Sequence, residues 1–459
     1  MTSTRREFLR RSVAAGAIVS TPYSWARTAA RAQDANRKLT MAAIGVGGSR
    51  GAFSQGGAIA MRASKHANMI AICDVDEVHC AEFNAKFNNK AKVYSDYRKL
   101  FENEKPDLVT IGTPDHWHVP IAIQALKAGC DVYCEKPLTL TIEEGFQIRE
   151  AVKETGRVFQ VGTQQRSEND SRFLQAIAIV QSGRLGKRVT AHAAIGGTPI
   201  GGPFPNGAPP ADLNWDMWVG PAQTAEYSPE RRKEFRWYYD YSGGKMTDWG
   251  AHHVDIAQWA LGFEKSGPVK ISGTCKFGTV VPERFNWIDY LASKATLPNG
   301  FMTPSEFSIN CEFENGAILH VCDHYDAGDG KTQFGNGILF EGENGRIFVN
   351  REKLTGKPVE DMTEAEKKTL HEQVVKLYRG EPGDHMGNFF QCIESRKTPI
   401  SDVETHHRTM TTCHLCNITL MLGRELKWDP AKEQFLGDPQ ATSLMTRPRR
   451  EKYSWTATT

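Results

Sequence analysis

Leu39-Thr40-Met41-Ala42-Ala43-Ile44-Gly45-Val46-Gly47-Gly48-Ser49-Arg50-Gly51 joins an apolar run to a glycine-rich turn. The run from Leu39 to Gly45 reads as a buried strand, and a helix is expected to begin near Gly51. Gly45 and Gly47 permit a tight turn and a close approach of backbone to a phosphate, and the helix N-terminus then faces that negative charge. On this reading Gly45, Gly47, Gly48, Ser49 and Arg50 cradle a pyrophosphate. In the usual fingerprint a third glycine stands where this chain has Arg50, with Gly51 one place later. A glycine cluster alone is commonly only a loop, so the reading depends on what flanks it.

The flanks alternate strand and helix. Strands are expected at Met69–Cys73, Asp107–Gly112, Asp131–Cys134 and Val158–Gly162, with helices at His116–Ala128 and Ile142–Thr155. That alternation predicts a parallel sheet with helices on both faces, a doubly wound domain over residues 38–165 that binds ligands at the carboxyl ends of its strands. Asp74, Thr113-Pro114-Asp115-His116 and Glu135-Lys136-Pro137 all fall at such ends. Asp74 is placed to accept from a ribose diol and to repel a 2′-phosphate, which favours NAD over NADP; a helix cap is its alternative. Thr113, Pro114, His116, His118, Glu135, Lys136 and Gln164 are further expected cofactor contacts. A metal at His116 and His118 is less favoured, and no metal is expected elsewhere.

Residues 166–440 differ. A helix is expected at Phe173–Gln181, then a Gly/Pro-rich loop over Gly196–Pro210 and a helix around Thr247–Leu261. Strand-like runs follow at Lys270–Cys275, Phe307–Phe313, Ala317–Cys322, Gly337–Phe340 and Ile347–Val349. Glu314-Asn315-Gly316 and Glu343-Asn344-Gly345 signal hairpins between them. These features predict an α+β domain with a large, mostly antiparallel sheet backed by helices, followed by a tail at 441–459.

The proton-handling candidates are Lys136, Asp248 and His252. A lysine beside an oxidised nicotinamide shares its site with positive charge, which eases loss of its proton toward working pH. Pro137 fixes the backbone after it, and Glu135 is expected to steady the lysine. Asp248, His252 and Asp255 stand at i, i+4 and i+7 and would share one helix face, the carboxylate orienting the imidazole as a general base. Arg166, Trp237, Tyr238, Asp255 and His385 are expected on the substrate side. His406-His407 is expected at the surface.

Bulk properties agree with a soluble enzyme of two domains. The 459 residues are 40% apolar and 24% charged, and the net charge of +2 gives no field for nucleic acid. Ten cysteines show no disulfide framework; Cys413 and Cys416 form a lone Cys-x-x-Cys. Residues 1–32 read as a twin-arginine leader: Thr4-Arg5-Arg6-Glu7-Phe8-Leu9-Arg10, a short apolar run from Val13 to Val19, and a cleavage site at Ala30-Arg31-Ala32. The expected location is the periplasm, by way of the twin-arginine machinery. Because that route carries folded proteins, a tightly held nucleotide is expected.

The glycine turn at 45–51, Glu135-Lys136-Pro137 and Asp248-x-x-x-His252, in this order, resemble the Gfo/Idh/MocA oxidoreductase family over about residues 38–440. The resemblance implies an N-terminal Rossmann domain, a C-terminal α/β domain and a cleft between them, and dimers or tetramers formed through the large sheet. It carries the family's catalytic lysine, aspartate and histidine to Lys136, Asp248 and His252, and its nicotinamide segment to Thr113-Pro114 with His118. The exported, glycoside-handling members look most similar, through the leader, Asp115-His116-Trp117-His118 and Trp428-Asp429-Pro430. The implied activity is hydride exchange between NAD(P) and a hydroxyl-bearing carbon of a sugar, glycoside or cyclitol. The alternatives are a hydrolase acting through transient oxidation, whose relatives commonly replace this lysine, and a non-catalytic binding module.

Overall fold

The computed structural model describes residues 38–48 and 54–454. The run after Leu39 becomes β1 (Thr40–Ile44), buried from Met41 onward. It lies between β2 (Asn68–Cys73) and β4 (Leu108–Ile111). β3 (Lys92–Tyr94), β5 (Asp131–Glu135) and β6 (Phe159–Gly162) complete a six-stranded sheet of order β3-β2-β1-β4-β5-β6. Every pairing is parallel, so the turns after β1, β2, β4 and β5 open at one edge, as a ligand crevice requires. The helix Ile142–Thr155 has Thr141 as its N-cap and ends at Gly156 in the left-handed region.

The second sheet has nine strands. They are β7 (Val189–Ala194), β8 (Lys270–Lys276), β9 (Glu306–Glu312), β10 (Ile318–Cys322), β13 (Gly337–Gly342), β14 (Gly345–Val349), β15 (Leu354–Thr355), β16 (Leu426–Asp429) and β17 (Gln434–Phe435), in the order β15-β14-β13-β7-β10-β9-β8-β16-β17. A small hairpin, β11 (Tyr325–Asp326) with β12 (Gln333–Phe334), stands apart. The sheet is mostly antiparallel, with β7 and β10 parallel. The β9–β10 and β13–β14 turns fall where the two Asn-Gly signals stand. Buried side chains of β7, β9, β10 and β13 join one core with the helices Arg172–Gln181, Gly250–Ala260 and Val403–Leu422.

Two expectations need correction. The helix around Thr247 is two helices, Lys245–Asp248 and Gly250–Ala260, separated at Trp249. His406 and His407 are buried, 1% and 2% exposed, within the long helix Val403–Leu422. Among the described residues no helix is long and apolar enough to cross a membrane. All ten cysteines are free thiols. The leader, Ser49, Arg50 and Gly51 lie outside the described residues.

Candidate active site

A cavity of about 540 Å³ runs along the carboxyl edge of the parallel sheet and is walled on its far side by the second domain. Its volume falls in the range of cofactor and ligand pockets. At its floor Gly45 has φ +75°, and a Cβ there would stand 2.6 Å from Thr113 N. Gly56 opens the next helix so close to the strand ends that a Cβ would strike Gly45 O; one on Gly112 would strike Gly56 Cα in turn. The close helix–strand packing ordinarily assigned to a third glycine therefore falls to Gly56 against Gly112. Ser54 caps this helix, Gln55–Ser64, accepting from Gly57 N at 2.9 Å while its hydroxyl donates to Val46 O at 2.7 Å.

Asp74 lies in the cavity at the end of β2, as its position in sequence requires. Its Oδ2 accepts from Val46 N at 3.0 Å and Gly47 N at 3.1 Å, and its Oδ1 accepts from Asp76 N at 3.0 Å. The carboxylate thus braces the glycine turn from below. The helix-cap role falls to Asp76 instead, which starts Glu77–Ala85. Sequence reading missed three neighbours. The His79 ring occupies the space a Cβ on Gly47 would need. Asp76, fully buried, receives Arg232 Nη2 at 2.5 Å. Arg232 comes from the second domain, so this ion pair ties that domain over the Asp74 end.

At the other end Lys136 leaves β5, and the peptide to Pro137 is cis. Lys136 Nζ donates to Asp248 Oδ1 and, at 3.2 Å, to Asp248 O. The lysine and the aspartate come from separate domains and meet at the cavity wall, 15% and 12% exposed. Burial works to raise the Asp248 carboxyl; the charges of Lys136 and Arg236 overcome it and hold it at about 2. Glu135 makes no ion pair with the Lys136 ammonium among the described residues, but its carboxyl meets the Lys136 backbone N–H and feels the lysine's charge. Its Oε1 accepts from Gln55 Nε2 and Gln164 Nε2, each at 2.9 Å, and burial raises its carboxyl.

His252 lines the cavity, 4% exposed. Asp248 does not orient it; the carboxylate is taken by Lys136. His252 Nδ1 has no hydrogen-bond partner among the described residues. Burial and then the Lys136 charge press its pKa well below the ordinary histidine value, so the ring is a neutral base.

The remaining candidates divide. Thr113, Pro114, His118 and Gln164 line the cavity. His118 stands between Pro137 O at 2.8 Å and Thr113 O at 2.9 Å, joining the two strand-end turns. His116 does not line it: its Nε2 is 2.9 Å from Trp218 O, and burial lowers its pKa to about 3. Arg166 and Asp255 form a buried bidentate pair, at 2.7 and 2.6 Å, below the site. His385 spends both nitrogens in the core, on Val161 O and Ser167 Oγ. Trp237 bonds Glu234 and Tyr238 bonds Asn299; neither lines the cavity. Trp218, Phe235 and Trp249 supply the aromatic wall instead. His406, expected outside, accepts from Leu138 N at 3.2 Å and fixes the segment behind Lys136.

Comparisons with known proteins agree with this geometry. The chain is 26% identical over 260 residues to D-glucoside 3-dehydrogenase of Escherichia coli, covering 55% of this chain and 61% of that one. It is 30% identical over 125 residues to inositol 2-dehydrogenase of Salmonella paratyphi B, covering 27% and 37%. The matches thus span less than two thirds of either relative. Among solved structures, the WlbA dehydrogenase of Bordetella pertussis in complex with NADH and UDP-GlcNAcA has the same fold, with TM-score 0.58, 15% identity and coverage of 86% and 99%. Residues 39–163 match the NAD-binding Rossmann fold of the Gfo/Idh/MocA oxidoreductases, and residues 204–278 and 328–455 match their C-terminal α/β domain. With both domains matched over more than half its length, this chain belongs to the Gfo/Idh/MocA oxidoreductase family.

Proposed function

We propose that this protein is a NAD-dependent oxidoreductase acting on a hydroxyl-bearing carbon of a sugar, glycoside or cyclitol. The observation that carries the proposal is the meeting of Lys136 with Asp248 beside His252, in the cavity whose floor is the glycine turn. Gly45, Gly47 and Gly48 would face the dinucleotide, with Thr113, Pro114, His118 and Gln164 along it; Asp74 disfavours a 2′-phosphate by its charge. When bound, the nicotinamide supplies the acceptor or donor of hydride. Lys136 hydrogen-bonds the substrate hydroxyl, and His252, held neutral by burial, takes its proton. Asp248 keeps the ammonium aimed at that hydroxyl.

The leader pattern in residues 1–32 supports export to the periplasm by the twin-arginine route, and the glucoside and inositol dehydrogenase relatives support the substrate class. The family resemblance supports assembly through the outer face of the large sheet, where β9 alternates exposed and buried residues. The test has three parts. Native mass spectrometry of fresh protein should find retained NAD. A panel of sugars and cyclitols should then change the reduced-nicotinamide absorbance. Replacing Arg5 and Arg6 by Lys should hold the protein in the cytoplasm. Absence of nucleotide binding together with silence on the whole panel ends the proposal. Release of nitrophenol from an aryl glycoside without added cofactor replaces it with the hydrolase reading.

A further inference from the structure

Arg351 lines the same cavity, and the proton transfer leaves it unused. It sits in the turn between β14 and β15, where the backbone is tied down. Asn350 Oδ1 accepts from Glu352 N at 2.9 Å and Lys353 N at 2.8 Å, and Arg172 Nη1 donates to the Arg351 carbonyl at 3.1 Å. The side chain is fixed as well. Its guanidinium carbon lies 4.7 Å from the centre of the Trp249 ring, and its Nε donates to Gln165 Oε1 at 3.2 Å. This is a preorganised fork on the residue that separates Asp248 from His252.

The fork has no carboxylate within ion-pair distance among the described residues. The two carboxylates whose charge acts on it, Glu168 and Asp248, are engaged elsewhere: Glu168 by Arg62 at 3.1 Å and Asp248 by Lys136. Arg236, another cation lining the cavity, reaches the same Asp248 oxygen only at 3.5 Å. One carboxylate therefore serves Lys136 and Arg236, and none serves Arg351. A planar guanidinium held with its outer nitrogens open matches a two-oxygen anion. Arg351 is exposed at the cavity mouth, so water holds those nitrogens until a ligand with two oxygens displaces it.

Resting on the oxidoreductase reading, we propose that Arg351, aided by Arg236, binds a carboxylate of the substrate, so that the preferred substrate is a sugar acid, such as a uronide or an aldonate, over its neutral counterpart. The test uses matched pairs with NAD: methyl glucuronide against methyl glucoside, and gluconate against glucitol, with glucose 6-phosphate as the phosphate arm. In the wild type, kcat/KM should favour the acid at least ~10-fold, about 1.4 kcal/mol. In Arg351→Met the acid-to-neutral ratio should fall at least ~10-fold, mainly through KM; Arg351→Lys, which keeps the charge and loses the fork, should recover part of it. Equal or better use of the neutral partner, or an equal loss on both in Arg351→Met, overturns the inference and leaves the oxidoreductase reading standing. Preference for the phosphate ester over the acid also overturns it. If no sugar reacts, calorimetry of methyl glucuronide with NADH-loaded protein decides: binding that Arg351→Met abolishes supports the anion site although the reaction was misread, and no binding removes both.

Discussion

At the Asp74 end of the cavity the polar groups are engaged within the chain, whereas at the Lys136 end two buried side-chain atoms have no partner among the described residues. Asp74 spends its oxygens on Val46, Gly47 and Asp76, and Asp76 is matched to Arg232. Opposite, among the described residues, His252 Nδ1 and Thr113 Oγ1 have no partner, and Lys136 is held by an aspartate of the other domain alone. A binding end can be rigid before its ligand arrives. A reacting end must leave acceptors and donors for atoms that change during the reaction.

The largest expected effect follows from breaking the reacting end alone. Lys136→Met should lower kcat by about 10²–10⁴, the range of general acid–base assistance, with retained NAD unchanged on native mass spectrometry. A kcat within threefold of wild type would remove Lys136 from the chemistry. Breaking the binding end should do the reverse. Asp76→Asn or Arg232→Met each strands a buried charge and should cost about 3–5 kcal/mol in stability, read by denaturant melts. The catalytic loss should appear in the NAD concentration needed more than in kcat, and the double variant should recover part of the stability. If the singles lose kcat as Lys136→Met does, the two ends are not separable.

Acid should also attack the ends unequally. Burial holds His406 and His414 at about 3, behind Leu138 and Thr139. His385 and His253 are held at about 4, and His252 lower than its ordinary value. Each is lowered from an unfolded value near 6.5, so the unfolded chain binds the extra protons. Their contribution is full above pH 6.5 and declines as pH falls toward the folded values, by about 1.4 kcal/mol per group at pH 5.5. Asp248, lowered from its unfolded value to about 2, adds a loss of the same sign only below about pH 4. Hydrogen exchange at pH 5.5 and 7.5, corrected for intrinsic rates, should show protection lost first around Leu138–Leu140, with Val46 and Gly47 later. The opposite order would contradict the assignment.

The contrast also explains what the sequence made legible. Gly45, Asp74, Thr113 and Lys136 could be placed because each ends a strand, and strand ends in a parallel sheet share an edge. Partners that cross domains could not. Arg232 and Asp76 stand 156 positions apart, and nothing local marks them as a pair. The pairing of Asp248 with Lys136 is hidden for the same reason: the i, i+4 spacing points the carboxylate at His252 only while no partner from the other domain is in view. β7 was missed because Val-Thr-Ala-His-Ala-Ala carries few β-branched or aromatic residues, although its neighbours on both sides make it central to its sheet. His406-His407 looked exposed because paired histidines in a polar run usually are; the long helix carrying them is buried almost throughout.

The smallest effect tests the aromatic wall. Tyr238, expected on the substrate side, is instead fully buried, its hydroxyl bonded to Asn299 Oδ1 at 3.1 Å and its ring under Arg231 at 4.6 Å. Tyr238→Phe keeps the ring and removes one hydrogen bond, so melting should register a loss of about 0.5–1.5 kcal/mol with kcat/KM unmoved. Phe235→Ala, which removes a ring that does line the cavity, should instead raise KM for substrate or NAD. If Tyr238→Phe shifts KM and Phe235→Ala does not, the wall has been drawn on the wrong face of this segment, and the reacting end would have to extend toward Asn299.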